Sequence, residues 1–262
     1  MREFLSGKKF NLLFSALAIV VLWAAWLIAY AAVGNDYVVP SFWDTMKSLG
    51  ALFAEGFFWR SLGMTFLRAA EGWALAFVCA VLTASLAAVS GQVRAFLAPV
   101  VAVLRCIPTL AITLMLLLWA GAGTAPVIVT FLMLFPVSYA QLTAAYAAID
   151  PKLFEMSQVY RLSRRERIFR IVVPQMLPSL FAQAGPNLSL ALKVAVSAEV
   201  LAFTYVSVGG MMTEANSYLQ IPRLFALTIA VLLLGGLLEF ALGNLTRITD
   251  RWKKGREGRK EK

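Results

Sequence analysis

The sequence predicts an all-α integral membrane protein with six transmembrane helices. Three observations predict it. Apolar residues make up 60% of the chain and charged residues only 15%, against about 45–50% and about 25% in soluble domains. The apolar residues are gathered into runs of the length that spans a bilayer, about 20 residues. The basic residues fall in short tracts between those runs.

The same composition excludes other classes. A net charge of +10 arranged as membrane-flanking tracts does not form a nucleic-acid-binding face, so no nucleic acid partner is expected. The chain has no histidine, which removes the commonest general base and the commonest transition-metal ligand together. No catalytic residue, metal or cofactor is therefore expected. Cys79 and Cys106 sit among apolar residues and are too few for a disulfide framework, so they read as small buried hydrophobes.

The first apolar run, Phe10 to Val33, follows Arg2, Lys8 and Lys9. It contains "AYA" at Ala29 to Ala31, yet its core exceeds the roughly 7–15 residues of a signal peptide and fits a retained anchor. Gly34 to Phe58 is too polar to span; Pro40 and Ser41 open a short interfacial helix there. Further spans run from about Ser61 to Val89, Phe96 to Trp119 and Ala125 to Ile149, with "GAGT" at Gly121 to Thr124 as a tight turn between the third and fourth. A segment at 150–175 intervenes. A fifth span from about Leu180 to Val206, a loop "SVGGMMTEANSYLQIP" and a sixth span from about Leu224 to Leu245 follow. The expected organisation is an anchor helix with its loop (1–60), a core (61–246) and a basic tail (247–262).

An even number of spans puts both termini on one side, and the positive-inside rule decides which. Eighteen of the 24 lysines and arginines lie at the N-terminus, at Arg94, in the 150–175 segment and in the tail. The opposite loops hold Lys47, Arg60 and Arg223 beside Asp36, Asp44, Glu55 and Glu214. Both termini and the 150–175 segment are therefore expected in the cytoplasm. No internal repeat is visible, which disfavours an inverted-repeat carrier.

Ionisable residues inside spans usually face a cavity or a partner. Arg68 and Glu71, three apart, are expected to pair on one helix face. Arg105 precedes Pro108, where the helix should kink; it either lines a pathway or satisfies the carbonyls freed by the break. Lys193 and Glu199 are six apart and do not share a face, so each is expected at a dimer interface or a pathway. Glu239 is expected to pair with Arg247 or a neighbouring helix. The tryptophans, Trp23, Trp26, Trp73 and Trp119 among them, are expected mostly at lipid or interface positions.

The 150–175 segment is unusually long for a loop between membrane helices. Leu153, Met156 and Tyr160 recur at i, i+3 and i+7, an apolar stripe beside Glu155 and Arg161. One face should meet the membrane domain and the other either lipid head groups or a protein partner. The segment resembles the cytoplasmic signature of permease subunits of binding-protein-dependent ABC importers: Glu-Ala-Ala, three residues, Gly, nine residues, Ile-x-Leu-Pro. Glu155, Met156 and Ser157 stand for the first triplet, Ile171, Val173 and Pro174 for the last element, and Arg161 occupies the glycine position. "LRCIPTLA" at Leu104, "YRLSRRERIFRIVVPQMLPSLF" at Tyr160 and "LKVAVSAEVLA" at Leu192 resemble elements of the nitrate, sulfonate and taurine branch. The resemblance covers about Leu62 to Leu245.

It implies a type I ABC importer (MetI-like) permease fold in the bacterial inner membrane, built as a homodimer. It also implies an ATPase subunit and an extracytoplasmic solute-binding protein as partners. Leu153 to Leu162 would be the coupling helix, with Leu153, Glu155, Met156, Ser157, Tyr160, Arg161, Leu162, Ile171 and Pro174 forming the ATPase contact. The implied solute is a nitrate-, sulfonate- or taurine-like anion or zwitterion, or a thiamine precursor. Arg105, Pro108, Lys193 and Glu199 are the pathway candidates. The chain has no Gly-x-x-x-x-Gly-Lys-Ser/Thr loop, so hydrolysis would belong to the partner and this chain would not be an enzyme. The competing reading, an ion-coupled secondary transporter or channel without an ATPase, would require a polar relay across several spans or an internal repeat.

Overall fold

A computed structural model describes the backbone of residues 2–257 and the side chains of residues 14 and 17–243. Ten α-helices follow in order: α1 (Arg2–Val33), α2 (Phe42–Ala54), α3 (Gly56–Val89), α4 (Gly91–Cys106), α5 (Thr109–Ala147), α6 (Pro151–Val159), α7 (Arg164–Arg167), α8 (Val173–Ala202), α9 (Val208–Ser217) and α10 (Ile221–Glu257). A π-helical turn, Ile168–Val172, joins α7 to α8. No strand occurs among the described residues. Among the described residues, three helices are long and apolar enough to cross a bilayer, Gly56–Val89, Thr109–Ala147 and Ile221–Gly243, and Leu17–Val33 is a shorter apolar helix.

Local chemistry sets the breaks. The expected third span is two helices: α4 stops at Cys106, Ile107 and Pro108 are extended, and α5 restarts at Thr109. Proline has no N–H to donate and pushes the residue before it out of the helical region, so the chain breaks there and does not merely bend. The expected "GAGT" turn is instead a kink at one residue, Gly121, with φ 73° and ψ 168°. The "SVGGMMTEANSYLQIP" loop contains a helix, α9. The final helix continues through most of the expected tail, to Glu257; residues 258–262 lie outside the described residues.

The chain divides into two compact units. In the first, Met1–Phe58 with Met211–Ala230, Ser41 caps α2 by accepting from the Asp44 N–H. Trp26 donates its indole N–H to the Pro40 carbonyl (3.1 Å) and packs against Phe42 and Phe225. Arg223 makes a two-pronged pair with Glu55 at 3.0 and 2.8 Å. Trp26 is thus a packing residue and not a lipid-facing one, unlike the exposed Trp119.

The second unit, Trp59–Gly210 with Val231–Lys262, holds α3 from Trp59 on, α4 to α8, and α10 from Val231 on. Its packing is sorted by size. Along α3, Ser61, Thr65, Ala69, Ala76 and Ala80 are wholly buried while Leu67, Leu75, Val78, Leu82 and Leu86 are exposed. Lipid is as apolar as leucine, so the inward face is chosen for close approach and not for hydrophobicity. A Cβ at Gly72 would come within 2.7 Å of the Thr130 Cβ and 2.8 Å of the Val127 carbonyl, which puts α3 directly on α5. Gly185 lies against the Glu239 backbone and Gly235 against Ser189, bringing α8 to α10 in the same way. Between α5 and α8, Gln141 and Asn187 exchange amide hydrogen bonds of 2.9 and 2.7 Å.

Gly72→Leu is expected to lower the melting temperature of the detergent-purified protein, since overpacking costs ~1–3 kcal/mol. Leu75→Ala, on the exposed face, should melt near wild type. Equal melting of the two variants would contradict the size-sorted packing.

Candidate functional site

The segment after α5 is built as a separate short helix. Asp150 caps α6 by accepting from the Lys152 N–H (2.9 Å), and Pro151 at the first position suits its fixed φ. Ser157 is wholly buried and donates to the Phe154 carbonyl (2.6 Å); Phe154, half-buried, packs on Tyr146 at 6.2 Å. The inward face is therefore Leu153, Phe154 and Ser157. Met156 (42% exposed), Val159 (80%) and Tyr160 (71%) point outward, which corrects the expectation that Leu153, Met156 and Tyr160 form one packed stripe. Glu155 is exposed too.

Arg161 explains the glycine of the signature. Its φ is 49°, the left-handed region. Around it the Leu162 N–H bonds the Ser157 carbonyl (2.9 Å) and the Arg161 N–H bonds the Gln158 carbonyl (3.0 Å). That pair of bonds is a Schellman ending, which favours glycine at the left-handed position. Arginine takes the same conformation here at a steric cost.

Ser163 then starts the next helix through a capping box: it accepts from the Glu166 N–H while the Glu166 carboxylate accepts from the Ser163 N–H (3.1 Å) and hydroxyl (2.9 Å). The spacing S-x-x-E at Ser163 to Glu166 is the sequence mark of this box. The Ser163 N–H, then its hydroxyl, then Arg170 hold the Glu166 carboxyl below its ordinary range. Its stabilising share is present above the ordinary carboxylate range and is lost as pH falls through the depressed value. Of the expected ATPase-contact residues, Ile171 is buried and Leu162 and Pro174 are half-buried.

A second cluster gathers at the far end of α8. Glu199 is fully buried. One of its oxygens accepts from Arg68 Nη1 (2.8 Å), the other from the Thr65 hydroxyl (2.8 Å) and the Gly209 N–H (3.3 Å). Thr65 accepts in turn from the Val208 N–H (2.9 Å), and Arg68 also reaches the Val206 carbonyl (3.0 Å). Thr204 bonds the Ala122 carbonyl (2.7 Å), tying the end of α8 to the Gly121 kink. The expected Arg68–Glu71 pair does not form: Glu71 is exposed and Arg68 turns to a carboxylate 131 residues away. Across that spacing a helix offers Arg68 only an exposed partner, whereas Glu199 offers a buried one. Thr65 and Gly209 were missed by sequence reasoning; a Cβ at Gly209 would meet the Glu199 Cβ at 2.5 Å, so the glycine pair after Val208 was the available signal.

The third feature is a cavity of about 1060 Å³ between α3, α4, α5, α6 and the 164–180 stretch. Arg105 lines it and donates to the Pro136 carbonyl (3.4 Å). Pro108 and Lys193 are exposed and do not line it, and Glu199 is held in the cluster above. The four pathway candidates are thus not brought together. Lys193 and Glu199 make no pair, as their spacing implied. Glu239 makes no ion pair among the described residues, and the Arg247 side chain lies outside them.

Every partner of Glu199 donates to it, and neither the Arg68 guanidinium on one oxygen nor the Gly209 N–H on the other can accept in return. Glu199→Gln must therefore point an amide N–H at another donor, and the melting temperature should fall well below that of Glu239→Gln, in keeping with the ~3–5 kcal/mol lost when one partner of a buried pair is removed. Arg161→Gly should relieve about 1 kcal/mol of left-handed strain, read as slower hydrogen exchange at the Leu162 amide. Faster exchange would show that the arginine side chain holds the turn.

A family model described as the binding-protein-dependent transport system inner membrane component matches residues 76–252. A putative aliphatic sulfonates transport permease of Bacillus subtilis is 26% identical over 254 residues, covering 96% of this chain and 91% of that protein. A riboflavin transport system permease of Chloroflexus aurantiacus is 30% identical over 158 residues, 60% of this chain and 59% of its own. The taurine transport system permease of Escherichia coli is 26% identical over 165 residues, 62% and 59%. Among solved structures, a bacterial ABC transporter involved in alginate import superposes with TM-score 0.63 at 16% identity, covering 94% of this chain and 99% of that one. An amino acid ABC transporter does so with TM-score 0.62 at 17% identity, covering 78% and 97%. Such likenesses carry the fold, and the family match, over more than half of the chain, carries the membership: this chain belongs to the binding-protein-dependent transport system inner membrane components, the permease subunits of ABC importers.

Proposed function

We propose that this chain is the permease half of an ATP-driven importer for sulfonate- or taurine-like solutes, working as a homodimer coupled to a separate ATPase through α6. The observation that carries the coupling role is the architecture of 150–175: a short helix capped at both ends, held by Ser157 and Phe154, presenting Met156, Val159 and Tyr160 outward. Exposed large apolar side chains on a charged segment suit a protein groove better than water. Glu155 on the same helix would meet a basic residue of that groove.

In this reading six spans are formed by α1, α3, α4 with the part of α5 before Gly121, the rest of α5, α8 and α10. The distribution of lysine and arginine supports cytoplasmic termini. Closure of the ATPases would draw the two α6 helices together and bias the membrane domain toward its outward-open state; hydrolysis would reset it. The Glu199 cluster would lie toward the outer side, keeping α3 and α8 together through the cycle. Lys193, exposed on α8, is available to the second copy.

The test is co-expression with the ATPase and the solute-binding protein of the proposed importer. Wild type should co-purify with the ATPase and show solute-stimulated hydrolysis in vesicles, and the permease alone should hydrolyse nothing. Glu155→Gln should weaken association or uncouple hydrolysis from solute. Normal behaviour of this variant in both assays removes Glu155 from the contact, and transport without any ATPase would establish the ion-coupled alternative. Gly258→Cys should resist impermeant reagents in intact cells; labelling from outside would invert the orientation.

A further inference from the structure

Two opposite charges stand unpaired on outward faces of the larger unit. Lys193 is exposed well inside α8, on a stripe with Pro186, Leu190 and Ser197 that repeats at helical spacing. Glu71 is exposed near the middle of α3, one turn from the exposed Leu67 on one side and Leu75 on the other. Neither side chain makes an ion pair or a hydrogen bond among the described residues, where the ion pairs are Lys47–Asp44, Arg68–Glu199, Arg170–Glu166 and Arg223–Glu55. Charges at such depth are kept where they meet a counter-charge or a water-filled cavity. We propose that, in a dimer of this chain, Lys193 of one copy pairs with Glu71 of the other copy and fixes the contact between the two membrane domains. The proposal rests on the permease reading and assigns its dimer contact.

Depth selects this pairing. The register of α3 against α8 is pinned where Arg68 and Thr65 bond Glu199, at 2.8 Å each. The two helices run in opposite directions, because the last residues of α3 and the first of α8 line the same cavity. From the Arg68–Glu199 bond, Glu71 is three positions on along α3 and Lys193 six positions back along α8. Both therefore lie toward the cavity end, by roughly 4.5 and 9 Å at 1.5 Å per residue. They differ in depth by about 5 Å, which the flexible four-carbon stem of lysine spans. Copies that sit in the membrane in one orientation are related by a two-fold axis along its normal, and such an axis leaves depth unchanged.

The alternatives within the chain fail on the same measure. Among the described residues, the long helices of this unit carry one other exposed acid, Glu239 on α10. Its backbone is level with Gly185, 3.1 Å from where a Cβ there would stand. Gly185 is eight positions from Lys193, roughly 12 Å farther toward the cavity end. Nor does the chain close the pair on itself: six positions turn Lys193 about 120° around α8 from Glu199, which faces α3, so Lys193 points away from its own Glu71. In a two-fold dimer each contact occurs twice, so one position of each sign supplies two ion pairs. Between helices in lipid, polar pairs of this kind fix what apolar contact leaves unspecified.

Cross-linking and dimer affinity test this on the full chain, with Cys79→Ala and Cys106→Ala as background. Two differently tagged copies are co-expressed, one with Lys193→Cys and the other with Glu71→Cys, and treated in membranes with a bifunctional methanethiosulfonate of short spacer. A linked dimer carrying both tags should form, and Lys193→Cys should give none with Glu239→Cys. By sedimentation in detergent, Lys193→Met and Glu71→Gln should each raise the dimer dissociation constant about tenfold, and the double variant no further than either single one, because the pair is already broken. Exchanging the charges, Glu71→Lys together with Lys193→Glu, should return the affinity to near wild type. Absence of the link between positions 71 and 193, its replacement by a link to position 239, or additive losses in the neutral double variant overturns the proposal. So does unchanged dimerisation of both neutral variants, which would leave Lys193 to a water-filled pathway. ATPase recruitment is scored separately on wild type: a linked dimer that recruits no ATPase sinks the permease reading and leaves the pair standing, whereas recruitment without the link sinks the pair alone.

Discussion

Helices that share a solvent with leucine cannot be sorted by hydrophobicity, and this constraint governs the whole of the larger unit. What holds helices together is close approach, so the inward stripe of α3 is serine, threonine, alanine and glycine while its leucines face outward. Gly72, Gly185 and Gly235 mark the points where a neighbouring helix is nearest. Specificity is then added by a few polar clasps, Gln141 with Asn187 and Glu199 with Arg68 and Thr65. Such groups have no water to fall back on, and each is satisfied by a partner on another helix.

The interruptions of helix matter as much as the helices. At Pro108 and Gly121 the backbone leaves the helical region; at the second, Thr204 donates to the Ala122 carbonyl, and Arg105, just before the first, reaches across to the Pro136 carbonyl of α5. Arg161 and Phe203 end α6 and α8 in left-handed conformations without glycine. At Phe203 the turn leads straight into the Glu199 cluster, and at Arg161 it leads into the capping box of Ser163. Two short, tightly capped helices in succession give the 150–175 segment a fixed shape outside the long helices. A segment of fixed shape transmits displacement, as the coupling role proposed for it requires; a floppy loop would absorb it.

The sequence by itself determined the helical membrane class, the location of the apolar runs, the segment that interrupts them and the family. These follow from composition, run length and a spaced motif, all properties of neighbours along the chain. It also placed irregular backbone at Pro108 and within Gly121 to Thr124, because proline and glycine act on their own backbone, but the structure decided that Pro108 divides two helices and that Gly121 kinks α5 instead of opening a turn. Tertiary structure alone decided which charges meet. Arg68 had a carboxylate three residues away and took one 131 residues away, since a buried cation needs a partner inside the protein and helical spacing says only which pairs are reachable. Tertiary structure also decided which side of α6 is buried: periodicity defines a face, and the shape of Tyr146 and its neighbours chose Leu153, Phe154 and Ser157 over Met156 and Tyr160. That the charged residues of the cavity lining are all arginine was equally illegible, because Arg94, Arg105, Arg164 and Arg167 come from two separated stretches that only packing brings around one space.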